Sequence, residues 1–83
     1  MTTRIKVLMF ASLADRLGVR EVALELPAGA TAEDAVRDLA ERYPALEPLR
    51  DTLAVAVNLD YVAAGRELAD GDELALIPPV SGG

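Results

Sequence analysis

Residues 70–83 read DGDELALIPPVSGG, and the strand at their centre decides the fold. After a turn at Asp70-Gly71-Asp72, Leu74 and Leu76 share one face of an extended segment, and Ala75 and Ile77 share the other. A strand that is apolar on both sides belongs inside a sheet or against a contact surface. Pro78 and Pro79 then stop it. Neither can donate a ladder hydrogen bond, and both favour an extended, polyproline-like path away from the body. Four residues follow: Val80, Ser81, Gly82 and Gly83.

The opposite end has the same two-sided character. In RIKVLMF (4–10), Ile5, Val7 and Met9 point one way and Lys6, Leu8 and Phe10 the other. Lys6 marks the wetter side, so Ile5, Val7 and Met9 face the core, and Leu8 and Phe10 remain as apolar outer residues. ASLADRLG predicts a short helical turn with Gly18 as its C-cap. REVALEL predicts a second strand, antiparallel to the first, with Val22, Leu24 and Leu26 inward. TAEDAVRDLAERYP predicts the main helix. Thr31 is its N-cap and Asp34 sits at the capping-box position, with Ala35, Val36, Leu39, Ala40 and Tyr43 as its apolar stripe and Pro44 ending it. ALEPLRD is expected to be a loop with room for one helical turn. TLAVAVNLDYVAAG predicts a third strand with Val55 and Val57 inward and Ala54 and Ala56 outward. A tight turn near Asn58–Asp60 and a short fourth strand follow.

Strand, strand, helix, then strands is an α+β order. One amphipathic helix covers one face of a small mixed sheet of four to five strands. A strand returning after a helical crossover pairs most easily in parallel with an earlier one, so the first and last strands are expected side by side at the centre. That is the β-grasp arrangement, with residues 1–77 as the domain and 78–83 as an extended tail.

Composition limits the chemistry. The chain has 83 residues, no cysteine and no histidine. Thiolate metal sites, disulfides, a cysteine nucleophile and a histidine base are therefore excluded. A domain this small buries only about 60% of its unfolded surface and has little room for a deep active site. The net charge of −6 argues against nucleic acid as a partner. No apolar run is long enough to span a membrane. Lys6 and Asp15 interrupt the apolar stretch near the N-terminus, so it reads as a strand and a helical turn in a cytoplasmic protein rather than as a leader. Asp70 and Asp72 offer too few converging ligands for a metal and read as a turn.

The tail carries the functional reading. Gly82 and Gly83 have no side chains, so they can thread a narrow channel and deliver the Gly83 α-carboxylate to a partner. Val80 offers a small apolar grip and Ser81 a small polar one. Near the root of the tail, Ile77, Leu8 and Phe10 are expected to form a shallow apolar patch floored by Ala54, Ala56 and Ala75, of the kind that marks interfaces. Phe10 is its anchor, unless its ring turns inward to fill the core. Leu59 either extends the patch from the turn tip or stands as a scattered exposed leucine.

The ending DGDELALIPPVSGG, the opening IKVLMFASLADRLG and the central VAVNLDYV resemble the small subunits of molybdopterin synthase, sulfur carriers of the MoaD/ThiS ubiquitin-like family. The resemblance runs over nearly the whole chain. It implies a non-catalytic subunit that binds no cofactor. A ubiquitin-activating-type adenylyltransferase would use ATP in trans to adenylate Gly83, and a sulfur donor enzyme would then convert it to a thiocarboxylate. The tail, with Pro78, Pro79, Val80, Ser81 and Gly82 as contacts, would enter a large synthase subunit, two of each chain forming a heterotetramer. There it would give sulfur to a cyclic pyranopterin monophosphate. The same tail also suits a carrier for thiamine, cysteine or tRNA thiolation, a ubiquitin-like protein modifier, or an interaction domain with an inert tail.

Overall fold

The computed structural model describes residues 1–63 and 65–79. Its elements are β1 (Thr2–Met9), α1 (Ser12–Leu17), β2 (Glu21–Pro27), α2 (Ala32–Arg42), a 3-10 segment (Pro44–Thr52), β3 (Ala54–Val57), β4 (Asp60–Tyr61) and β5 (Glu73–Ile77). The five strands form one sheet in the order β2-β1-β5-β3-β4. β1 pairs antiparallel with β2 and parallel with β5, and β5 pairs antiparallel with β3. The two-sided strands therefore lie side by side as expected. β5 occupies the middle of the sheet, with β1 and β3 on either side of it.

Alternation sets what each face carries. Ile5, Val7 and Met9 are buried, as are Leu24, Leu26, Val57, Leu74 and Leu76. They form one cluster with Ala35, Val36, Leu39 and Ala40 of α2. Helix α2 thus closes the inner face with the predicted stripe, and Tyr43 packs half-buried at its edge.

The start of α2 is fixed by a reciprocal cap. The Asp34 backbone N–H donates to Thr31 Oγ1 at 3.2 Å, and the Thr31 backbone N–H donates to Asp34 Oδ2 at 2.9 Å. That backbone donor is the main cause holding the Asp34 carboxyl below its ordinary value. The Thr31 hydroxyl and the Arg37 guanidinium act in the same direction, and partial desolvation opposes them. Gly18 ends α1 at φ 74, its N–H bonded to the Ala14 carbonyl at 2.9 Å. A left-handed C-cap of this kind favours glycine.

One expectation needs correction, and two residues that face as expected differ in exposure. Residues 44–52 wind as a 3-10 segment rather than a loop. Pro44 starts it, Pro48 has no N–H to continue an α-helix, and fully buried Leu46 plugs it into the core. Ala56 lies on the outer face as predicted but is only 5% exposed. It sits on an interior strand opposite Ala75 and Tyr61, and a side chain that short is covered by its cross-strand neighbours. Val55 faces inward but is half-buried. It lines a groove of about 380 Å³ with Val36 of α2, Leu53 and Val62.

Candidate functional site: the outer face of the sheet

Among the described residues, no helix lies over the face opposite α2. Its composition can be read along the pairing register. Glu21 stands opposite Leu8, Leu8 beside Ala75, Ala75 opposite Ala56, and Ala56 opposite Tyr61. One row thus crosses all five strands, with two alanines at its centre and larger apolar residues on each side. In the next row Ile77 faces Ala54. Phe10 joins that end, its N–H donating to the Leu76 carbonyl at 3.2 Å.

Leu8, Ile77 and Pro78 are half-buried and Pro79 is exposed. Phe10 is 44% exposed and Leu59 is 87% exposed. Phe10 therefore does not turn fully into the core. Leu59 projects from the β3–β4 turn with φ 75, beside Asn58 with φ 50. Glycine is favoured in such hairpin positions and leucine is not. Val80, Ser81, Gly82 and Gly83 lie outside the described residues.

The residue that sequence reasoning missed is Tyr61, which is 73% exposed at the end of the cross-strand row. The alternation Ala54, Ala56 and the tight turn after Val57 were signals that could have placed it there. The patch has a charged border. Lys6 Nζ lies 3.9 Å from Glu21 Oε1, and Arg4 Nη2 lies 3.4 Å from Glu25 Oε2. Both pairs are solvent-exposed and contribute little to stability; they mark where the apolar surface ends. Asp70 and Asp72 form the turn before β5, and no metal-binding cluster occurs among the described residues.

A mixed five-strand sheet with parallel neighbouring terminal strands and one long helix across it defines a ubiquitin-like β-grasp protein. A solved structure shares this architecture. The crystal structure of SAMP1 from Haloferax volcanii superposes with a TM-score of 0.87 at 39% identity, covering 96% of this chain and 99% of that one. A protein of Chlamydomonas reinhardtii named molybdopterin synthase sulfur carrier subunit is 43% identical over 96% of this chain and 99% of its own length. The protein of that name from Arabidopsis thaliana is 37% identical over 99% of this chain and 85% of its own. The ThiS family profile matches residues 7–83. The chain belongs to the ThiS family.

Proposed function

We propose that this chain is the sulfur carrier subunit of a molybdopterin synthase and that Gly83 is its sulfur-bearing end. Support comes from relatives of that name along nearly the whole chain. The observation that carries the reading is the position of β5. The strand leading to the tail is gripped on both edges, by β1 and β3, beside an apolar face that no helix covers among the described residues. A tail rooted there has a rigid base and a docking surface next to it.

The chemistry follows from the reactivity of a carboxylate. On its own it is a poor electrophile. In the proposed sequence a ubiquitin-activating-type adenylyltransferase directs a Gly83 carboxylate oxygen onto the α-phosphorus of ATP. Pyrophosphate leaves and an acyl adenylate forms. A sulfide equivalent from a donor enzyme attacks the acyl carbon, AMP leaves, and a thiocarboxylate remains. Its sulfur is polarisable and anionic near neutral pH. In the large subunit that sulfur attacks an oxygen-bearing side-chain carbon of the cyclic pyranopterin monophosphate; the carbon–sulfur bond forms as the carbon–oxygen bond there breaks, the oxygen staying on the phosphate or leaving as water. Water then cleaves the acyl–sulfur bond, leaving sulfur on the pterin and returning the Gly83 carboxylate. A dithiolene needs two sulfurs, so two charged carriers are consumed per product. The substrate phosphate is assigned to basic residues of the large subunit, in keeping with the carrier's charge of −6.

The test is reconstitution with the activating enzyme, ATP, a sulfide source and the large subunit. Removal of Gly83, or addition of one residue after it, should abolish molybdopterin formation while the domain stays folded. Normal product from either variant would reject the proposal.

The likeness to a small archaeal modifier protein of Haloferax volcanii favours a second reading. The same acyl adenylate would be attacked by a lysine amine of another protein, forming an amide and releasing AMP. Peptide mass spectrometry of cell extracts separates the two readings, because only the modifier leaves lysine-branched peptides whose branch ends in Gly82-Gly83.

A further inference from the structure

We propose that Asn58 is a positioning residue for docking: its side-chain amide ties the β3–β4 turn to the loop before β5 and so fixes the direction in which Leu59 projects. The inference rests on the reading above in which the outer face meets the large subunit.

The antiparallel register of β3 and β5 runs from Ala54–Ile77 to Val57–Leu74. One step further, the Asn58 N–H still donates to the Glu73 carbonyl at 2.9 Å. The return bond is different. The chain turns left-handed at Asn58, and the Glu73 N–H donates instead to Asn58 Oδ1 at 3.1 Å. The side chain replaces the backbone acceptor that a continuing ladder would supply. Its other end is also used, since Asn58 Nδ2 donates to Asp72 Oδ1 at 2.9 Å.

Asp72 is itself held. Its Oδ2 accepts from the Ala69 N–H at 2.8 Å, and its carbonyl accepts from the Lys6 N–H at 3.0 Å. Two residues earlier, Asp70 Oδ1 accepts from the Arg4 N–H at 2.8 Å. A continuous set of bonds therefore runs from β1, which carries Leu8, through Asp72 to the turn that carries Leu59. Asparagine tolerates the left-handed region and can form these bonds. Leucine at the next position is disfavoured there. A strained, exposed leucine on a turn tied at both ends is consistent with an anchor that is ordered before its partner arrives, which reduces the entropy lost on binding.

The test uses the full chain and the molybdopterin synthase large subunit of the same organism, with affinity measured by titration calorimetry. Leu59→Ala should weaken binding about tenfold. Asn58→Gly keeps the left-handed turn accessible, so its melting temperature should stay near that of the parent. Its Glu73 amide should exchange faster with solvent and its affinity should fall about fivefold. Asp72→Ala cuts the same tie from the other side and should change affinity in the same direction. Parental affinity for both Asn58→Gly and Asp72→Ala, alongside a weakened Leu59→Ala, overturns the positioning role. Parental affinity for Leu59→Ala removes Leu59 from the interface and overturns the docking reading instead.

Discussion

The two faces of one sheet carry different side chains in this protein. The inner face is a row of fully buried branched side chains under α2, including Val7, Leu74 and Leu76. The outer face, built from the alternate residues of the same strands, keeps Ala75 and Ala56 at its centre and leaves Phe10, Tyr61 and Leu59 exposed. Strand alternation allows this because successive side chains point to opposite faces of the sheet. In a domain of this size, stability and recognition can therefore be separated by a single step along the chain.

The largest effect is expected on the inner face. Leu74→Ala removes a fully buried side chain and should cost roughly 3 kcal/mol, a large fraction of the stability a small domain has; urea denaturation measures it. A cost below about 1 kcal/mol would mean that the inner face does not carry the core. On the outer face the balance should reverse. Phe10→Ala should change stability by under about 1 kcal/mol but weaken the large subunit's affinity about tenfold, read by calorimetry. If Phe10→Ala costs as much stability as Leu74→Ala, the division between faces fails.

Smaller changes sharpen the same comparison. Thr31→Ala removes the N-cap of α2 and should lower stability by about 1 kcal/mol without changing affinity, because α2 lies on the far side of the sheet. The mildest effect is a dependence on acid. The folded Asp34 carboxyl titrates below its ordinary range, chiefly because it accepts the Thr31 N–H. A depressed folded value stabilises fully above the unfolded value, and that contribution is lost as pH falls through the folded one. Denaturation curves taken from neutral pH into the acid range should show this loss in the parent and a flatter acid limb in Asp34→Asn.

Local pattern made much of this legible. The Ile5–Val7–Met9 alternation, the Thr31–Asp34 cap and the two-sided β5 are all written in neighbouring residues. They gave the core face, the helix start and the parallel pairing. Residues 44–52 were misread because two prolines look like loop punctuation, whereas the burial of Leu46 depends on a core assembled from elsewhere. The tie from Arg4 to Asp70, and from Asn58 to Asp72, joins residues 66 and 14 positions apart. No local periodicity reports such pairs. Asp70 and Asp72 therefore read only as turn formers, and Asn58 only as a hairpin residue. On the outer face Phe10 and Leu59 were visible as apolar residues in unlikely places. Tyr61 was not, because a two-residue strand shows no alternation of its own; its face follows only by carrying the Ala54–Ala56 alternation across the turn.

The most direct test of the carrier assignment is the intact mass of the protein isolated from cells making molybdopterin. The account predicts a species in which one oxygen is replaced by sulfur, located at Gly83 by fragmentation and absent when the activating enzyme is removed. A protein found only with its unmodified carboxylate, in cells where molybdopterin accumulates normally and the large subunit is active, would contradict it.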